Sequence, residues 1–451
     1  MQPRVETLVG LADQLERGAV SSRGLVEQFL DRLTSNISQA EKCFVLIDRA
    51  GARAAADQQD ALRKAGRHAG RFAGIPVSVK DLFDVEGQVT LAGSKVLQHA
   101  APAVQDAACI ANLKRAGLVV VARTNMTEFA YSGLGLNPHY GTPLCAYDQQ
   151  TGRAPGGSSA GAGVSVAEGF NVLSIGTDTG GSCRIPAAYN GIVGFKPSAN
   201  RVNTKGAYPL SGSFDSIGPL ARTVECCAIA DSILANDGET GLVKSPNRPP
   251  KIGILVNPYV MAGLQSEVAE DFARAISKIK SGGAEIENVF LDGLDDLSAN
   301  LKRGGIVGFE AFQHHQQMLD ASSQLYDPRV ASRIQSAGQT TFEEYQQILA
   351  NRRALIMKFE SLMDGFDALV CPTVANVAPA LSELNSDENY TRLNGIALRN
   401  TYVANFLDGC SISLPMHRSG QAPTGLMLIG KNGQDKNLLA LGAYVFDILG
   451  R

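Results

Sequence analysis

Lys80 lies at the end of the segment GIPVSVKD, Ser158 in GRAPGGSSAGAG and Ser182 in GTDTGGSCRIP, and these three residues are candidates for chemistry by their types and surroundings. A serine hydroxyl attacks a carbonyl effectively only when a neighbouring base takes its proton. Histidine is the usual base, yet His68, His99, His139, His314, His315 and His417 stand in no recognisable catalytic context. Lysine can do the same work when burial disfavours its charged form and lowers its pKa toward neutrality. Lys80 ends a β-branched apolar run, where burial is expected. Taken alone, a lysine after a strand is usually solvated or ion-paired. The loops around the serines change the weighing. Their glycines let the backbone approach a ligand or adopt positive φ, and successive N–H groups in such loops can stabilise negative charge, although ordinary turns use the same residues.

The ordered set GIPVSVKD, APGGSSAGAG and GTDTGGSCRIPAAYNGIVGFKPS closely resembles the amidase signature family, and DALVCPT and APTGLMLIG are similar to its later blocks. The resemblance spans most of the chain and is strongest from Gly74 to Pro219. It implies that Ser182 attacks an amide carbonyl, forms an acyl-enzyme and releases ammonia or an amine. Ser158, preceded by a cis peptide, would bridge Ser182 to a neutral Lys80, which would take the proton and return it to the leaving nitrogen. The backbone N–H groups of Thr179, Gly180, Gly181 and Ser182 would form the oxyanion hole. Ser159 would position the lysine, and Asp178 would brace the loop. Arg184 is a candidate for binding a substrate carboxylate, with a structural ion pair beneath the loop as the more frequent role for such a residue. Tyr131, within the stretch Glu128 to Leu136, leads the candidates for shaping the pocket, with a place in the core as the other reading, and the variable region after Thr240 would supply the rest. GGSSAG in place of GGSSGG and KPS in place of KPT are small departures.

The lysine and serines would supply acid, base and nucleophile, so no metal and no organic cofactor is implied. The expected partner is a small-molecule amide: aryl- or indole-acetamides, ureido compounds such as biuret or allophanate, and aliphatic amides all fit. A homodimer is implied by resemblance only. Two other readings compete. In one the chain is the glutamine-hydrolysing component of a tRNA-dependent amidotransferase, against which NRVNTKG at 200–206 differs from the stretch associated with those chains. In the other, GGSSAG is the anion loop of a small-molecule kinase, which leaves Lys80 and TDTGGS unexplained and lacks a following G-K-[ST]. An inactive relative that only binds is disfavoured by the intact set of three.

The elements that must position these residues alternate along the chain. Leu8, Leu11 and Leu15, then Leu25, Phe29 and Leu33, follow helical spacing, with Ser21 or Ser22 as a cap, and an alanine-rich helix runs from Arg49 to Gly66. GIPVSVKD, LVVVA, NVLSIG, KIGILV and DALVCPT read as strands, and residues 266–360 as mainly helical. NDGETGLVKSPNRPP reads as a surface connection, and SELNSDENYTRLN as a polar loop, either plain surface or long enough to fold over a pocket. By resemblance the fold is a single large α/β domain over 1–451, with N-terminal helices 1–66, a signature core 67–235 and a variable helical plus C-terminal core region 251–451. Its central sheet is expected to be mixed, largely parallel and covered by helices on both faces. The 41 basic and 44 acidic residues are interspersed, which disfavours nucleic acid as a ligand. No apolar run approaches the ~20 residues of a membrane span. Acidic residues interrupt the first twenty positions, unlike a signal peptide, and eight scattered cysteines without C-x-x-C spacing suggest a reduced, cytoplasmic protein. Cys183, beside Ser182, reads as a small packed side chain.

Overall fold

Eleven short runs pair into one sheet in the computed structural model, which describes residues 6–238 and 248–450. They are β1 (Phe44–Ile47), β2 (Pro76–Lys80), β3 (Val119–Thr124), β4 (Leu173–Asp178), β5 (Val193–Lys196), β6 (Ser216–Ala221), β7 (Lys251–Leu255), β8 (Glu285–Val289), β9 (Ala368–Pro372), β10 (Cys410–Pro415) and β11 (Gly425–Gly430). Across the sheet the order is β1-β3-β2-β4-β6-β5-β10-β11-β9-β7-β8. Mixed pairing matches the expectation from sequence, with its parallel part held in two blocks, β3-β2-β4 and β9-β7-β8. The middle, from β4 through β6, β5, β10 and β11 to β9, is antiparallel, as is the β1 edge. Parallel neighbours need a crossover, which helices supply within each block, whereas β10 and β11 are joined by a short connection that permits only antiparallel pairing.

Successive side chains of a strand point to opposite faces. Ala368 and Val370 of β9 and Leu426 and Leu428 of β11 accordingly join one buried cluster, while Leu369, Cys371, Met427 and Ile429 join another. The first face is covered by helices Leu8–Glu16, Ala108–Arg115, Val224–Ala235, Ser266–Ser281 and Asp435–Leu449. The second is covered by Ser22–Ser35, Phe342–Met363 and Asp387–Phe406, among others. Both faces being apolar explains why strands such as β9 and β11 read as continuous hydrophobic runs rather than alternating ones.

The opening helices fall where leucine spacing places them, and Ser21 Oγ caps the second by accepting from Gly24 N at 2.9 Å. Two expectations fail. SELNSDENYTRLN is not a loop: Ser386 Oγ caps the helix Asp387–Phe406, whose first turns are polar because they face outward. EIENV, inside the stretch read as helical, is the edge strand β8, mostly exposed and therefore without an apolar signature. Of the connection read at 236–250, residues 239–247 lie outside the described residues.

Candidate active site

β2 and β4 are parallel neighbours, with Val79 level with Ile175, so their C-terminal ends deliver Lys80 and Thr177–Asp178 to the same edge. The loop into helix Ala160–Ala167 brings Ser158 to that edge, after a cis Gly157–Ser158 peptide. Lys80 Nζ donates to Ser158 Oγ at 2.7 Å and to Thr177 Oγ1 at 2.8 Å. Lys80 and Ser158 are fully buried. Burial pushes the Lys80 amine down from 10.5 to about 7, against the pull of the nearby Asp178 and Asp215 carboxylates. A neutral amine is therefore well populated at neutral pH. Ser159 takes a different place from the one expected: its Oγ donates to Thr177 O at 3.3 Å, so the second hydroxyl on the lysine is that of Thr177.

The loop Thr179–Cys183 is tied down by Asp178. Its Oδ1 accepts from Gly181 N at 2.9 Å and its Oδ2 from Cys183 N at 3.1 Å. Burial alone would raise this carboxyl, but the Arg184 guanidinium more than offsets it and holds the group at about 2. Arg184 is fully buried, reaches Asp178 at 3.0 Å through Nε and 2.8 Å through Nη2, and continues to Thr401 O at 2.8 Å. It does not line the cavity, which corrects the candidate role in substrate binding: this is a desolvated ion pair beneath the loop. Gly181 must also be withdrawn from the candidate oxyanion donors, because its N–H is spent on Asp178. The N–H groups of Thr179, Gly180 and Ser182 have no acceptor among the described residues. Gly181 is needed for shape instead: φ is 135°, and a Cβ there would meet Thr401 Oγ1 at 2.2 Å. Cys183 is a buried packed thiol, pushed up mainly by desolvation.

Ser182, Thr179 and Gly180 form one wall of a cavity of about 480 Å³. Tyr131 lines it, under the guanidinium of Arg333 at 4.5 Å from the ring centroid. The remaining walls come from Tyr259, the stretch Ser298–Val307, the helix Pro328–Ala337 and the helix Asp387–Phe406. Ser182 Oγ has no hydrogen-bond partner among the described residues. The volume suits a small organic molecule. Sequence reasoning missed Thr177, Thr401, Asn405, Arg333 and Arg399. Thr401 and Asn405 carried a usable sign, two polar residues four apart in an apolar helical stretch; there Thr401 Oγ1 donates to Gly180 O at 2.7 Å and Asn405 Nδ2 to Asp178 at 3.0 Å. The arginines carried none, since nothing local tells a pocket arginine from a surface one. Among the described residues there is no group of three His, Cys, Asp or Glu that could hold a metal, and no helix long and apolar enough to cross a membrane.

The family model described as Amidase matches residues 24–439. The chain is 33% identical to 2-amino-5-chloromuconic acid deaminase of Comamonas testosteroni, over 90% of this chain and 88% of the relative. It is 32% identical to the glutamyl-tRNA(Gln) amidotransferase chain of Streptococcus pneumoniae that bears the letter A, over 97% of this chain and 95% of that one. A crystal structure of an amidase superposes with a TM-score of 0.87 at 31% identity, covering 98% of this chain and 99% of its own.

Proposed function

The chain belongs to the amidase family, and from that membership we propose that Ser182 is the nucleophile and that Lys80, acting through Ser158, is its base. The protein is an amide hydrolase that cleaves the C–N bond of a small-molecule amide or ureido compound. In the proposed cycle the neutral Lys80 amine accepts the Ser158 proton as Ser158 takes that of Ser182, and Ser182 Oγ adds to the carbonyl carbon. The negative charge on the carbonyl oxygen is met by the N–H groups of Thr179, Gly180 and Ser182, a few kcal/mol per well-placed donor in comparable sites. Collapse of the adduct breaks the C–N bond, the relay runs backward to protonate the departing nitrogen, and water then releases the acid by the same route. Asp178 and Arg184 hold the loop and touch no substrate. The hydroxyl of Ser182 closes onto Ser158 when substrate orders the site, as catalytic hydrogen bonds commonly tighten only in the complex.

The observation that carries this reading is a fully buried lysine, lowered to about 7, 2.7 Å from a serine hydroxyl. Ammonia or amine release from a panel of amides and ureido compounds tests it. We expect Ser182→Ala and Lys80→Ala each to lose at least about a thousandfold in kcat; activity surviving Ser182→Ala would remove that residue as nucleophile. The amidotransferase reading is the less favoured one, and glutamine hydrolysis that appears only on adding a second chain would bring it forward. Eight free, buried thiols support a reducing, cytoplasmic setting.

A further inference from the structure

The cavity that holds Ser182 is lined by three arginines and, among the described residues, by no aspartate or glutamate. Arg303 has a carboxylate of its own, Glu344 at 3.3 Å. Arg333 and Arg399 have none among the described residues. Arg333 donates to the carbonyl oxygen of Tyr131 and lies over the Tyr131 ring. Arg399 donates to Asn400 Oδ1 at 3.0 Å, Ala262 O at 2.8 Å and Val260 O at 3.4 Å. Neutral oxygens orient a guanidinium but leave its charge uncancelled, and each group has five N–H donors. The carboxylates packed nearby are engaged elsewhere. Glu310 accepts from Ser211, Ser213 and Tyr345, Asp215 from Thr179 Oγ1 and the amides of Leu210 and Ser211, and Asp178 from Arg184. Asp327 and Asp387, which share a neighbouring cleft with Arg333, are turned to Arg329, Asp327 accepting from its backbone N–H and Asp387 from its Nε, each at 2.9 Å. Asn394 adds a polarity that points the same way. Its Oδ1 is filled by Ser132 Oγ at 2.9 Å and Gly133 N at 2.8 Å, which leaves its amide hydrogens for a ligand.

A half-buried cleft with two cations and no counter-charge raises the local concentration of anions and binds oxyanions through charge-assisted hydrogen bonds. We infer that the substrate is an anionic amide, whose oxyanion is held by Arg333 and Arg399 while its amide carbonyl lies at Ser182. This rests on the amidase reading and narrows it: half-amides of dicarboxylic acids and ureido acids fit, and neutral aryl or alkyl amides do not.

Binding to the Ser182→Ala protein, measured by calorimetry, tests the inference without turnover. The probes are half-amides of dicarboxylic acids, the matching amides ending in a sulfonate, and neutral diamides of the same length. We expect at least one acidic series to bind about tenfold or more tighter than its neutral counterpart, a difference of about 1.4 kcal/mol. That preference should weaken with added salt and shrink in Arg333→Gln and Arg399→Gln, both checked for native unfolding temperature. The carboxylate and sulfonate arms tell which oxyanion fits. Neutral amides binding as tightly as acidic ones, no acidic amide binding up to about 10 mM, or both variants keeping the full preference would each overturn the inference. Wild-type turnover of neutral amides alone would overturn it and leave the amidase reading standing. Absence of all turnover would strike the amidase reading, while the binding arm still decides this one.

Discussion

A lysine whose amine titrates near 7 leaves a signature in the pH dependence of the reaction. Only the neutral amine can take a proton, so kcat/KM rises tenfold per pH unit below about 7 and levels off above it, since Lys80 is lowered to about 7 by burial. A pH–rate profile of the free enzyme checks this, and a limb centred near 4 would transfer the role to a carboxylate. Arg184 offers the opposite kind of test, because its work is structural. Arg184→Met leaves the Asp178 carboxylate buried without its cation, and removing one partner of such a pair costs about 3–5 kcal/mol. Urea unfolding should show that loss as a lower midpoint with an unchanged slope; a raised KM at full stability would return Arg184 to the substrate. At this scale Lys80, Ser158 and Ser182 stood out in the sequence because their surroundings are unusual in composition, and the structure brings Lys80 against Ser158 and sets Ser182 on the cavity wall. Gly181 misled for the same reason, since a glycine required by a close contact and one required by an anion look alike in sequence.

The helix Asp387–Phe406 does two jobs with two sides. Thr391, Asn394, Leu398 and Tyr402 line the cavity, while Thr401 and Asn405 grip the loop that carries Ser182. Thr401→Val keeps the shape and removes the hydrogen bond to Gly180 O, so the loop loses registration at the carbonyl. We expect kcat to fall about tenfold with KM little changed, the pattern of an interaction felt in the transition state, and steady-state kinetics would read it directly. The start of this helix is polar, which made it read as loop, yet Ser386 followed by Asp387 and Glu388 is a helix-start pattern with acidic residues in the first turn. β8 was hidden by a different cause: an edge strand exposes most of its side chains, so EIENV has no apolar run to find. The direction of an individual strand was not legible in its own residues, because a short aliphatic run is the same whether its neighbour is parallel or antiparallel; the mixed sheet was expected from the resemblance of the whole chain.

Across the whole molecule all eight cysteines are buried as free thiols. Thiolate reagents should therefore modify none of them in the native protein and all eight after unfolding, and the rate of modification should follow global opening. Fast labelling of any one cysteine would mark a region that opens on its own. The residues proposed to carry the reaction all precede residue 190 in the chain, whereas the cavity walls around them come mostly from Tyr259 onward. For directed evolution this is a natural division of labour. A library that randomises Tyr259, Leu301, Val307, Thr391 and Leu398 searches substrate range without disturbing the nucleophile. Thr401 and Asn405 must be left out of it, for a variant that loses them would be discarded in a screen as inactive whatever its new pocket could hold.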